Sequence, residues 1–137
     1  MSHRLRVLLV DDDQTTNFLN KLLLTRLGVT EQVLTATNGE EALRVLAQQC
    51  NELATYPLLI LLDMNMPVLN GLAFLEAYTQ LPSTVQDAII IVMLTTSLHP
   101  VDLARAQQLP IAGFLNKPLT EEKVADLLRE HFAVATP

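Results

Sequence analysis

The chain has 137 residues, half of them hydrophobic, with 9 basic and 15 acidic side chains and a formal net charge of −6. This length fits one domain with a packed core, so we expect a single domain over residues 1–137 with its core at about 5–132. The acidic balance argues against a nucleic-acid-binding surface, which needs a basic patch, and the single Cys50 excludes an internal disulfide framework and a cysteine-built metal site.

Five short apolar runs along the chain predict the strands of a parallel sheet. Four of them are nearly unbroken, and strands without apolar–polar alternation are typical of parallel sheets that are buried on both faces. The second run is weaker and alternates. The five runs are Leu5–Val10, Val33–Thr37, Leu58–Leu62, Ala88–Leu94 and Ile111–Leu115.

A helical pattern follows each run, and several helix ends carry capping signals. Gly28 is placed to end the first helix. Asn38 and Glu41 resemble a capping box at the start of the second. Pro100 fits the first turn of the fourth helix, and Thr120 can cap the fifth. The expected apolar faces are, in order, Phe18, Leu19, Leu22, Leu23 and Leu27; Ala42, Leu43, Val45 and Leu46; Leu72, Phe74, Leu75 and Tyr78; Val101, Leu103, Ala104 and Leu109; and Val124, Leu127, Leu128 and Phe132.

Strands and helices thus alternate five times along the chain. This order implies an α/β fold with a parallel sheet, helices on both faces and right-handed crossovers. The segment from Gln49 to Pro57 is longer than a tight connection between a helix and a strand requires. In open α/β sheets, ligands bind at the carboxyl ends of the strands, so the residues that follow the strands are the candidate site.

Polar and charged side chains follow four of the five strands. The first strand ends at Asp11 and Asp12, the third at Asp63, the fourth at Thr95 and the fifth at Lys117. Three carboxylates in one cleft repel each other, and Mg²⁺ offsets this repulsion because it prefers carboxylate oxygens. Lys117 adds a further positive charge. The arrangement therefore predicts a Mg²⁺ site beside a phosphate site.

The same residues resemble the receiver domain of two-component response regulators, over roughly Arg6 to Phe132. The resemblance implies a flavodoxin-like, doubly wound (βα)5 fold with a five-stranded parallel sheet in the strand order 2-1-3-4-5. The segments that carry it are Val7–Asp12, Leu61–Pro67, Asn70–Gly71, Leu94–Thr96 and Asn116–Pro118.

The resemblance also implies roles for the acidic residues. Asp63 is similar to the phosphoacceptor, a carboxylate nucleophile that takes a phosphoryl group from a phosphohistidine. Asp12 is similar to a direct ligand of Mg²⁺ or Mn²⁺, while Asp11 acts mainly through metal-bound water. Asp63 and the backbone carbonyl of Asn65 complete the implied metal ligands.

Further roles follow from the resemblance at the ends of the fourth and fifth strands. Thr95 would donate a hydrogen bond to the phosphoryl group and act as a switch residue, and Lys117 would pair with the same group. The Lys117–Pro118 peptide bond would be cis. Phe114 stands where the family often carries a switch aromatic residue, and as Phe it lacks a hydroxyl group for a partner.

The partners that the resemblance implies are proteins. A sensor histidine kinase or a histidine phosphotransfer protein would donate the phosphoryl group. A downstream protein would bind the face made by the fourth helix, the fifth strand and the fifth helix. We expect no nucleic acid or membrane partner, a monomer or weak homodimer, and no enzyme activity beyond the chain's own phosphorylation and dephosphorylation.

Two features of the chain bear on its location and architecture. No apolar run approaches the roughly 20 residues of a membrane helix, and Met1 to Arg6 lacks the apolar stretch of a signal peptide. We therefore expect a cytoplasmic protein. Only five residues follow Phe132 in the sequence, and we also expect a single-domain response regulator without an output domain.

Two other interpretations remain open. Residues 11–15 also satisfy the D-x-D-x-T motif of haloacid-dehalogenase-type phosphatases, with Asp11 as the nucleophile and Asp13 as the general acid/base. This alternative assigns no role to Asp63, and Glu121–Glu122 begins a helix where that family needs another acidic pair. The third interpretation is a phosphate-independent interaction module with a receiver-like fold.

Overall fold

The computed structural model describes residues 5–28, 30–49, 58–63, 71–87, 89–95 and 111–131, together with residues 104 and 108. Five strands form one parallel sheet in the order β2-β1-β3-β4-β5. This confirms the expected α/β fold class and the expected strand order. The strands are β1 (Leu5–Val10), β2 (Thr30–Ala36), β3 (Leu58–Asp63), β4 (Ile89–Thr95) and β5 (Gly113–Asn116).

The unbroken apolar runs are explained by a core on each face of the sheet. All six residues of the central strand β3 are buried. In β1, Leu8 and Val10 belong to one core layer, and Val7 and Leu9 belong to the other. Because successive side chains of a strand point to opposite faces, a strand covered on both sides needs an apolar residue at every position.

The weaker apolar pattern of the second strand reflects its place at the sheet edge. β2 pairs only with β1 and begins at Thr30, before the predicted start at Val33. Gln32 and Thr35 are exposed within it. Exposed polar residues on both faces of this edge strand shorten its apolar run compared with that of a central strand, so the sequence pattern placed its start too late.

The helices begin and end close to the predicted signals. Gly28 ends the first helix with a left-handed φ of 69°, as predicted. Asp13, which the sequence analysis did not identify as a cap, begins the same helix by accepting a hydrogen bond from the Thr15 N–H at 2.9 Å. The helices are α1 (Gln14–Leu27), α2 (Gly39–Gln49), α3 (Gly71–Tyr78), α4 (Ser83–Gln86, a single turn that was not predicted) and α5 (Glu121–His131).

The predicted caps of α2 and α5 are both present. The Asn38 side chain accepts from the Glu41 N–H at 2.8 Å, and the Glu41 carboxylate reaches back to the Thr37 N–H at 3.2 Å. The reach goes one residue further back than in the usual capping box. The Thr120 hydroxyl oxygen accepts from the Lys123 N–H at 3.2 Å.

The apolar face predicted for the first helix is only partly buried. Phe18, Leu19 and Leu22 remain 60%, 57% and 48% exposed, whereas Leu24 is buried at 1%. In a run of consecutive leucines, helical spacing does not identify the inward residue, so the prediction for this face was wrong in part. In α3 and α5 the predicted inward residues are buried where they are described, namely Phe74, Leu75, Tyr78, Val124, Leu127 and Leu128.

Some predicted features lie outside the described residues. They are the segment 50–57 with Cys50, the end of the fifth helix at Phe132, and the helix predicted from Pro100 to Leu109, apart from residues 104 and 108. Within the part of the chain that the structure describes, no helix is both long enough and apolar enough to cross a membrane.

Tyr78 on α3 is expected to make stability depend on pH in the alkaline range. Its hydroxyl donates to the Gln86 carbonyl oxygen at 3.2 Å, and burial, with a smaller contribution from the charge of Asp87, raises the pKa of Tyr78 from 10.0 to about 12. A raised folded-state pKa contributes stability that is fully present below the unfolded pKa and is lost as pH rises towards the folded value.

Tyr78→Phe tests this prediction. We expect the variant to lose about 1 kcal/mol at neutral pH, because its hydrogen bond is gone, and to show a weaker fall in stability as pH rises through this range. Urea unfolding of both proteins at neutral and alkaline pH measures the difference. Parallel alkaline profiles would contradict the assignment to Tyr78.

Candidate functional site

The carboxyl ends of β1 and β3 bring three carboxylates together. Because Val10 pairs with Leu62, the residues that follow them, Asp11 and Asp63, lie side by side. Both are buried, whereas Asp12 is exposed. One carboxylate oxygen from each of the three residues lies within 4.8 Å of the others. The structure therefore assembles the acidic cluster that the strand ends predicted.

Lys117 supplies the positive charge of this cluster. Its Nζ lies 2.7 Å from Asp11 Oδ2 and 3.3 Å from Asp63 Oδ1. Burial disfavours the charged form of Lys117. The hydrogen bond and charge of Asp11, with those of Asp63, outweigh burial and raise the pKa of Lys117 above its ordinary value of 10.5. Lys117 is therefore a cation at any physiological pH and partly compensates the repulsion among the carboxylates.

Both carboxylate oxygens of Asp11 accept hydrogen bonds. Oδ2 accepts from Lys117 Nζ, and Oδ1 accepts from the Asp13 N–H at 2.9 Å. The Asp11 N–H donates to the Ala36 carbonyl oxygen at 3.1 Å. The Asn17 side-chain amide donates to the carbonyl oxygens of Asp11 at 2.9 Å and Ala36 at 3.3 Å. These contacts fix the end of β1 against β2.

Asn17 is a supporting residue that the sequence analysis missed. It is 4% exposed and lies two turns before Leu24 on the same buried face of α1. A polar side chain on an inward helix face needs hydrogen-bond partners; the amide nitrogen of Asn17 finds two in the strand-end carbonyls, whereas its Oδ1 is buried without a partner among the described residues. Its helical spacing from Leu24 was the available signal, but the exposed Phe18 and Leu19 obscured which face points inward.

Asp12 differs from its neighbours in being open to solvent. Among the described residues its carboxylate has no recorded hydrogen bond or ion pair, so its oxygens are available to a ligand. The cluster offers only carboxylate oxygens and has one solvent-exposed side. This donor set fits a hard divalent cation that keeps part of its water shell.

Asp13 serves as a helix cap. Its carboxylate accepts from the Thr15 N–H and the Thr16 hydroxyl, each at 2.9 Å. The hydrogen bond from Thr16, followed by that from Thr15, holds the pKa of Asp13 below its usual value. Both carboxylate oxygens of Asp13 are thus engaged in capping α1, which disfavours the phosphatase alternative that assigns this residue as the general acid/base.

The other predicted site residues are described to different extents. Thr95 is the last residue of β4 and pairs with Asn116, but its side chain lies outside what the structure describes, as does all of Asn65. Phe114 pairs with Met93 and packs, partly buried, against the core. The Lys117–Pro118 peptide bond is cis, which agrees with the expectation from the resemblance.

Comparison with known proteins gives a consistent set of relatives. A protein called "Probable chemotaxis protein CheY" from Rhizobium etli is 34% identical over 124 residues, which cover 90% of this chain and 89% of the relative. The crystal structure of a response regulator receiver protein from Dyadobacter fermentans is 32% identical with a TM-score of 0.81, over 93% of this chain and 98% of that chain. The crystal structure of a two-component response regulator from Cytophaga hutchinsonii is 28% identical, also with a TM-score of 0.81, and the match covers 94% of this chain and 97% of that chain.

The family model for the response regulator receiver domain matches residues 7–129, which include both the acidic cluster and Lys117. That family consists of signalling phosphoacceptors, and the sheet order and the strand-end carboxylates of this chain agree with it. The chain belongs to the response regulator receiver domain family.

Proposed function

We propose that this receiver domain accepts a phosphoryl group on Asp63, with Mg²⁺ or Mn²⁺ bound by the adjacent carboxylates, and that the modification changes its conformation and partner binding. The observation that carries the proposal is the position of Asp63. It is buried at the end of the central strand, within 4.8 Å of two further carboxylates and 3.3 Å from the Lys117 ammonium.

The chemistry is a displacement at phosphorus. A carboxylate oxygen of Asp63 attacks the phosphorus of a phosphohistidine, the P–N bond breaks, and the imidazole leaves and takes up a proton. The product is an acyl phosphate on Asp63, a known kind of covalent intermediate on carboxylates. Attack by water on that phosphorus returns the carboxylate and releases phosphate. The chain thus promotes only its own phosphorylation and dephosphorylation.

Charge neutralisation is the main contribution required from the site, because phosphoryl transfer depends on in-line positioning and electrostatic stabilisation. Lys117 is placed to shift from the carboxylates to the incoming phosphoryl oxygens. A bound divalent cation would neutralise the remaining charge of the phosphoryl group. A Glu in place of Asp63 would move the nucleophile by a methylene group and spoil the alignment.

The proposed metal ligands have distinct roles. Asp12 binds the ion directly, because its carboxylate is exposed and uncommitted among the described residues. Asp11 acts mainly through metal-bound water, since its oxygens already accept from Lys117 and the Asp13 N–H. Asp63 and the backbone carbonyl of Asn65 complete the proposed set.

The output is conformational. A new dianionic group on Asp63 attracts the Thr95 hydroxyl and shifts the end of β4, and Phe114 on the adjacent β5 changes its packing in response. Phosphorylation would thus act as a local electrostatic change that biases a two-state element. The phosphodonor is a histidine kinase or phosphotransfer protein, and the downstream protein binds the face that includes β5 and α5.

Intact mass after incubation with Mg²⁺ and acetyl phosphate tests the proposal. We expect one added phosphoryl group on the wild type and none on Asp63→Asn. Asp13→Asn is the matched control, because it removes a carboxylate from the same acidic run but not from the proposed acceptor cluster, and it should still be phosphorylated.

Other outcomes would contradict the proposal in distinguishable ways. An adduct that persists in Asp63→Asn would place the acceptor elsewhere. Steady phosphate release that Asp11→Asn abolishes would favour the phosphatase. No adduct, no turnover and no binding of beryllofluoride would favour a phosphate-independent interaction module.

A further inference from the structure

A second lysine, Lys123 on α5, holds the backbone on both sides of Lys117. Its Nζ donates to the carbonyl oxygen of Asn116 at 2.6 Å and to that of Pro118 at 2.9 Å. These carbonyls belong to the residues immediately before and after Lys117. One ammonium group therefore ties the end of β5 and the start of the following loop to α5.

The helix end that carries Lys123 is itself well anchored. The backbone N–H of Lys123 donates to the Thr120 hydroxyl oxygen at 3.2 Å in the helix cap, and the neighbouring Val124 is buried in the core. Leu119, between the two lysines, is also buried. Lys123 thus connects a packed helix to a segment that carries the positive charge of the site.

The segment around Lys117 needs such support. β5 has four residues, lies at the sheet edge and pairs only with β4. Lys117 must reach across from there to Asp11 and Asp63, which lie at the carboxyl ends of β1 and β3. A lysine side chain is long and flexible and loses rotamer entropy when it is fixed, so the position that its ammonium reaches depends on the direction of the backbone.

We propose that Lys123 is a positioning residue for phosphoryl acceptance, which acts by holding the carbonyl groups on both sides of Lys117 so that the Lys117 ammonium stays directed at the carboxylate cluster. The inference rests on the proposed role of Asp63. Hydrogen bonds from an ammonium are stronger than those between neutral groups, and two of them from one donor constrain the direction of the backbone.

The first test compares phosphorylation rates of single variants at saturating Mg²⁺ with acetyl phosphate. Lys123→Met roughly keeps the length of the side chain but removes its hydrogen-bond donors. We expect it to slow phosphoryl incorporation about tenfold, which is less than the loss that a full 1 Å misplacement can cause. Lys123→Arg keeps charged donors and should restore most of the rate. Lys21→Met, the matched control, removes the remaining lysine, which is exposed on α1, and should leave the rate unchanged.

A double-variant comparison separates positioning from a purely structural role. If Lys123 acts through Lys117, then Lys123→Met should not slow the protein further once Lys117 is Ala. Independent, multiplicative losses would overturn the inference, as would a single Lys123→Met variant with the wild-type rate. Circular dichroism at the same Mg²⁺ concentration verifies that each variant is folded.

A spectroscopic readout is independent of phosphorylation. The chain has only three lysines, so their side-chain NMR signals can be assigned by single substitutions. We expect Lys123→Met to move the Lys117 signal and to leave that of Lys21 in place. An unmoved Lys117 signal would overturn the inference. Absence of an adduct on the wild type would overturn the proposed function, and the Lys117 signal would then decide on the positioning contact alone.

Discussion

Replacing Lys117 with Ala is expected to lower the free energy of unfolding of the metal-free protein by about 3 kcal/mol, because removing one partner of a buried ion pair leaves the other charge uncompensated. Here two buried carboxylates, those of Asp11 and Asp63, lose their cation at once. Burial prevents water from replacing the ammonium fully.

Mg²⁺ should reverse much of this loss. A ligand that binds only the folded state stabilises it in proportion to the logarithm of its concentration over Kd, and the variant should bind Mg²⁺ more tightly because no ammonium competes for the carboxylates. Urea unfolding with and without Mg²⁺, together with calorimetric titration of the ion, measures both effects. Lys21→Ala on the exposed face of α1 is the control and should change stability by less than about 0.5 kcal/mol. An equal loss with and without Mg²⁺ would contradict the electrostatic explanation.

The alkaline pH dependence gives a further check on Lys117. Since the folded-state pKa of Lys117 lies above 10.5, its stabilisation is fully present below that value and is lost as pH rises through the raised pKa. Lys117→Ala should therefore show a flatter alkaline profile than the wild type. Combining it with Tyr78→Phe separates the two groups that titrate in this range.

Replacing Asp12 with Ala is expected to weaken Mg²⁺ binding by more than about tenfold, the lower end of what the loss of even a supporting residue costs at a metal site. The same change should slightly raise the stability of the metal-free protein, because one of three mutually repelling carboxylates is gone. The gain should stay below about 1 kcal/mol, since Asp12 is exposed and its charge is screened by water.

Asp13→Ala is the matched comparison for Asp12→Ala. It removes the same charge one position later, but Asp13 caps α1, so the variant should lose stability and keep most of its Mg²⁺ affinity. Thermal unfolding should therefore show changes in stability of opposite sign for the two adjacent aspartates. Calorimetric titration should show a loss of Mg²⁺ affinity for Asp12→Ala only. A lower melting temperature for Asp12→Ala, with unchanged Mg²⁺ affinity, would contradict the assignment.

The sheet and the residues at its carboxyl edge could be predicted from the amino-acid sequence alone. Apolar runs such as Leu58–Leu62 are local signals, and burial on both faces follows from the absence of alternation. The acidic cluster could be predicted because parallel strands end at one edge, which places Asp11 and Asp63 together without knowledge of any side-chain contact. The cap residues Gly28 and Thr120 each act within a single helix turn, so they could also be predicted from the local sequence.

The side-chain contacts, by contrast, depend on how distant segments pack together and could not be predicted from local patterns. Helical spacing did not show that α1 turns Asn17 and Leu24 inward and leaves Phe18 exposed, because that choice depends on the strands beneath the helix. The bond from Lys117 to Asp11 joins residues 106 positions apart, and Lys123 reaches two backbone carbonyls that no sequence pattern marks. Local patterns report the conformation of a few neighbouring residues. These contacts form only when the whole sheet has assembled between its two core layers.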